Sequence, residues 1–189
     1  GWYMVMSGLV DNPRVSHYRL TMHLALAFAI LGAILWTALG LIYPARRLAD
    51  TLPDQSLARM GKWLTGIICY MVITGGLVAG VRAGLAYNTF PLMNGQFFPV
   101  ESFLMEPLWM NFLWNMAAVQ FDHRFGAWIL AVLVPIFWLR AVFGSIDTRT
   151  RIAATLLLLM FVAQASLGIY TVLLRVPIWL AALHQCGAV

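Results

Sequence analysis

Three long uncharged runs limit what this chain can fold into: residues 20–43, charged only where His23 takes a proton, residues 63–81 and residues 152–174. Each is close to the roughly 20 apolar residues that cross a hydrocarbon core about 30 Å thick as a helix. A fourth span, from about Asn115 to Leu139, carries Asp122, His123 and Arg124 near its start. With 62% hydrophobic residues, 10% charged residues and a mean hydropathy of +0.82, the chain lies outside soluble globular usage. The fold class is therefore all-α, a polytopic membrane helix bundle.

The last segment, Pro177 to Val189, is apolar but stops after 13 residues, too short to span. At the other end, "GWYMVMSGL" has neither an initiator Met nor the basic region of a signal peptide. "GWYMV" at 1–5 also weakly matches "GIYTV" at 168–172, and each match leads into a segment bearing a histidine, His23 or His184. The chain reads as an internal fragment of a duplicated membrane protein.

Lys and Arg concentrate in cytoplasmic loops of membrane proteins. The expected connections 44–62, with Arg46, Arg47, Arg59 and Lys62, and 140–151, with Arg140, Arg149 and Arg151, therefore face the cytoplasm. Arg14, Arg19, Arg82, Arg124 and Arg175 are spread over the outer segments. Topology accounts for the net charge of +5, and no basic stripe with interleaved aromatics points to nucleic acid. Cys69 and Cys186 are not placed for a structural disulfide, and the absence of C-x-x-C-H excludes covalently attached c-type haem.

An ionisable side chain at membrane depth is expensive and marks function by default. His23, His123 and His184 are all expected at a similar depth near the outer side, whereas His17 in "VSHYRL" reads as a solvated or interfacial loop histidine. Two imidazoles from facing helices can clamp a haem iron from opposite sides. No Glu lies inside a span and no E-x-x-H pattern occurs, which disfavours a di-metal site. Gln120, three residues before His123 on the same helical face, is placed to orient a ligand or a propionate. Arg124 suits a propionate through its guanidinium fork or else snorkels to the headgroups, and Asp122 balances it. Gly76, Gly80 and Gly84 form a small-x-x-x-small stripe for close approach of a helix or a flat cofactor. Pro135 is expected to kink its span without breaking it. The outer loop around Tyr87, Asn88, Pro91, Asn94 and Gly95 is expected to cap the bundle, and catalysis by Glu101 or Glu106 has no support.

Taken together, "GWYMVMSGLV", "YRLTMHLALA", "AGLAYNTFPLMNGQFFP", "VQFDHRFGAW" and "LHQCGAV" resemble the haem A synthase family in its proteobacterial and mitochondrial type. The resemblance covers essentially the whole chain, and "AYNTFPLMNG" and "QFDHR" are its specific motifs. It implies eight helices in two pseudo-symmetric four-helix halves. Residues 1–61 would be the end of the N-terminal half: the tail of the third helix, an outer loop, the fourth helix and a cytoplasmic connection. Residues 62–189 would be the C-terminal half, with its last helix truncated. The resemblance also implies that His123 and His184 hold haem B, with Gln120 and Arg124 beside it. His23 would belong to the site where haem O reacts, its partner histidine lying on the absent second helix. The implied reaction oxidises a methyl group of haem O to the formyl group of haem A, in a bacterial cytoplasmic membrane or the mitochondrial inner membrane. The fragment alone is expected to be inactive. Expected partners are haem O, an unidentified electron donor, haem O synthase and oxidase assembly factors, lipid, a second copy of the chain, and no nucleic acid. His17 stands where that family's pattern has proline. Two other readings are a b-type cytochrome subunit that only carries electrons and a cofactor-free transporter bundle.

Overall fold

The computed structural model describes residues 2–5, 15–43 and 55–188. Along them run α1 (Trp2–Val5), α2 (His17–Ile42), α3 (Gln55–Gly80), α4 (Asn111–Trp114), α5 (Met116–Phe143), α6 (Thr148–Leu173) and α7 (Ile178–Gly187). Short 3-10 turns at Ala83–Leu85, Val100–Phe103 and Leu108–Met110 punctuate the loop after α3. Among the described residues, β structure is limited to one isolated bridge between Met93 and Gln96. The apolar runs dictate this all-α bundle: α2, α3, α5 and α6 are each long and apolar enough to cross a membrane. At 26 to 28 residues they measure about 40 Å at 1.5 Å per residue, so their ends extend beyond the hydrocarbon into the interfacial layers.

That excess length corrects the expected connections. Arg59 and Lys62 lie on the first turns of α3, Arg140 in the last turn of α5, and Arg149 and Arg151 in the first turn of α6. Lys and Arg are good helix formers, so a helix need not stop where the apolar run does. The division expected at 61/62 falls within the residues of α3. Arg14, Arg46 and Arg47 lie outside the described residues.

Capping side chains fix two helix starts. Asn115 Oδ1 accepts from the backbone N–H of Ala117 at 2.9 Å, and Asp147 Oδ1 accepts from Arg149 at 3.0 Å and Thr150 at 3.1 Å. Helix α5 runs unbroken through Pro135. Packing follows the order α2, α3, α5, α6, α7. The middle of the bundle is filled by Leu64, Leu130 and Val134, with Met71, Phe137 and Phe161 packed around them. Leu57, Ala141 and Ala154 close the basic end, where Arg140 donates to Ser56 Oγ at 2.9 Å and the Arg149 guanidinium lies over Tyr43. Tyr87, Met93 and Ala117 close the opposite end beneath the long loop. At that end Arg19 donates to the Tyr3 carbonyl at 2.9 Å, so α1 lies beside the start of α2. Outward-facing side chains such as Trp36 and Phe143, each at least 80% exposed, suit contact with lipid.

Candidate functional site

His123 and His184 come from α5 and α7 and sit within electrostatic reach of each other. His123 Nδ1 is 2.9 Å from Thr74 Oγ1 on α3, and its Nε2 has no hydrogen bond among the described residues. A Cβ added at Gly75 would lie 3.2 Å from His123 Cε1, so the ring rests directly on the α3 backbone. His184 repeats this seating against α6, where a Cβ at Gly168 would lie 2.9 Å from its Cε1. Gln164 donates to the His184 carbonyl, and His184 Nδ1 is buried with no partner.

Two imidazoles on different helices, each with an uncommitted nitrogen, fit a haem. The described residues hold no group of three His, Cys, Asp or Glu side chains. Iron held by this pair therefore needs further ligands from a macrocycle, which a porphyrin supplies.

The neighbours of His123 have partners of their own in the outer loop and on α3. Arg124 is buried and donates to the carbonyls of Thr89 at 2.8 Å, Tyr87 at 3.1 Å and Leu92 at 3.4 Å. Its guanidinium is taken up by the outer loop, so the side chain is not free to snorkel to the headgroups. Gln120 is also buried and donates to the Tyr87 carbonyl at 3.0 Å, leaving its Oε1 unpartnered. Asp122 accepts a hydrogen bond from the Tyr70 hydroxyl on α3. The loop that Arg124 grips is itself pinned, since Asn88 donates to the carbonyls of Gly84 and Val172 and joins the turn after α3 to α6.

The family sequence profile described as cytochrome oxidase assembly protein (COX15-CtaA) matches residues 1–189. The chain belongs to this family. It is 56% identical to the protein named Heme A synthase of Nitrosospira multiformis and 53% identical to the one of that name from Nitrosomonas eutropha, each match covering all of this chain and 53% of the relative. It is 43% identical to Heme A synthase COX15 of Bos taurus, again over all of this chain and 47% of the relative. The chain thus spans about half the length of the curated relatives it matches. No solved structure matches it.

Within this family member, one expectation needs correction. His17 is not a solvated loop residue: it opens α2, is only 6% exposed, and packs its ring 4.0 Å from Trp114, with Nε2 unpartnered. Its Cβ presses on Gly80, which admits it because it has none. The stripe Gly76, Gly80 and Gly84 touches Thr21, His17 and Val176. It thus serves helix packing, while the glycine at the histidine is the neighbouring Gly75. His23 is exposed on α2. Helices α2 and α7 flank a common groove of about 340 Å³, with Leu24, Phe28 and Leu31 on one side and Ala182, Gln185 and Cys186 on the other.

Sequence reasoning did not single out Thr74, Gly75, Gln164 or Gly168. A signal was available for Gln164, the one carboxamide in the 152–174 run, because polar side chains inside spans bond across helices.

Proposed function

We propose that the protein of which this chain is part is a haem A synthase, an oxidoreductase that converts the methyl group of haem O to the formyl group of haem A. The paired seating of His123 and His184 supports this reading most, joined to relatives that carry that name. His123 and His184 would hold haem B, which would supply a one-electron redox centre. Gln120 and Arg124 act on it indirectly, by holding the Tyr87–Leu92 loop over the outer end of α5 and excluding water. His23 faces the substrate site, completed by parts of the full-length protein outside this chain. The setting is a bacterial cytoplasmic membrane, or the mitochondrial inner membrane for a eukaryotic relative, with the basic end in the cytoplasm or matrix.

The test is a reduced-minus-oxidised absorbance spectrum of the full-length protein, numbered as here, with pyridine haemochrome analysis of its extracted haem. Low-spin b-type bands are expected to vanish in His123→Ala and in His184→Ala and to persist in His23→Ala, with haem A formation lost in His23→Ala. Bands that persist in both of the first two variants sink the cofactor assignment. A protein with those bands that forms no haem A is an electron-carrying cytochrome instead.

A further inference from the structure

We propose that Thr74 is a positioning residue that fixes the tautomer of His123, so that Nε2 is the nitrogen presented to the cofactor. Thr74 is 2% exposed, and its Oγ1 lies between two partners, 2.9 Å from His123 Nδ1 and 3.2 Å from the Met71 carbonyl oxygen. A hydroxyl has one proton to give, and a carbonyl oxygen can only accept. Both contacts are hydrogen bonds together in one arrangement only. In it the hydroxyl proton points to Met71, and the Nδ1–H of His123 donates to Oγ1. Turning the hydroxyl proton toward Nδ1 would set the Oγ1 lone pairs against the carbonyl oxygen. A neutral imidazole protonated on Nδ1 carries its free lone pair on Nε2.

Gly75 makes the arrangement reachable, because a Cβ there would lie 3.2 Å from Cε1 and 3.7 Å from Nδ1 of the same ring. One turn of α3 thus provides both the acceptor and the clearance. His184 has no such acceptor, since its Nδ1 is buried unpartnered. The two imidazoles are therefore unequal ligands, and His123 is the more basic, because an acceptor on the remote N–H strengthens donation to a metal.

This inference rests on His123 being an iron ligand, and the experiment separates the two claims. In the full-length protein, Thr74→Val keeps the side-chain shape and removes the acceptor, whereas Thr74→Ser restores it. The valine variant is expected to raise the midpoint potential of the haem, shift its low-spin EPR signal and weaken haem affinity about 10- to 100-fold. The serine variant is expected to retain the unsubstituted values. If the valine variant does not fold, Thr74→Cys, a weak acceptor, is compared with Thr74→Ser for the same shift in potential. An unchanged potential and EPR signal in the valine or cysteine variant, with the bands lost in His123→Ala, overturns the role of Thr74 alone. Bands kept in His123→Ala overturn the ligand assignment and this inference with it.

Discussion

A Cβ at Gly168 would lie 2.9 Å from His184 Cε1, whereas one at Gly66 meets nothing within 4 Å. Gly→Ala inside a helix otherwise stabilises by roughly 0.5–1 kcal/mol. In a haem titration followed by absorbance, Gly168→Ala is therefore expected to weaken binding without lowering the melting temperature, and Gly66→Ala to leave binding unchanged. A binding curve for Gly168→Ala that overlays the parent would show that His184 tolerates a shifted ring. At this scale the sequence placed His123 on a span and His184 on the last helical segment, because depth within a span can be counted from its ends. It did not disclose their seats. Thr74 and Gly168 are ordinary residues in a span until another helix places an imidazole on them. His17 misled for the opposite reason: it stands at a helix start, where sequence reads as loop, and its burial comes from Gly80 and Trp114, far away along the chain.

Among elements, the long loop between α3 and α5 is held by bonds that can be removed one at a time. Arg124→Lys keeps the charge but loses the fork that reaches Tyr87, Thr89 and Leu92. Hydrogen bonds to charged groups contribute about 1.5–3 kcal/mol, so a loss of about 2 kcal/mol is expected, read as faster amide exchange confined to residues 84–100. The Tyr87 hydroxyl donates to Glu101 Oε1 at 2.7 Å. That bond holds the Glu101 carboxyl below its usual 4.5, while burial, aided by the same bond, pushes the Tyr87 phenol up to about 12. A depressed carboxyl stabilises above its ordinary value and loses that contribution as pH falls through the folded-state value. A raised phenol stabilises below its ordinary value and loses that contribution as pH rises through about 12. The latch is thus closed at neutral pH. Acidification below 4.5 is expected to increase acrylamide quenching of tryptophan emission, and Tyr87→Phe to remove the part of that increase that depends on this bond. Helix identities were legible from the apolar runs, but the start of α3 was not, because Gln55, Arg59 and Lys62 extend a helix past the hydrocarbon without an apolar signal.

Across the whole molecule, the alternation of α2, α3, α5 and α6 puts the arginine-rich ends together and the long loop at the other end. With Cys69 and Cys186 replaced by serine, single cysteines at Leu104 and at Arg149 are expected to react with an impermeant thiol reagent from opposite faces of a sealed membrane. Reaction of both from the same face would break the alternation. The order of the helices was legible from their lengths and charges. The adjacency of α2 and α7 across a groove was not, since neither helix carries a mark of its neighbour. One bond described above also dates the molecule's assembly. Asn88 donates to the carbonyl of Val172, 84 residues further along. A chain emerging from the ribosome at about 5–20 residues per second leaves that carboxamide waiting several seconds for its acceptor. The loop is therefore closed only once α6 has been made, and the nascent bundle stays open on its outer side until that helix has arrived.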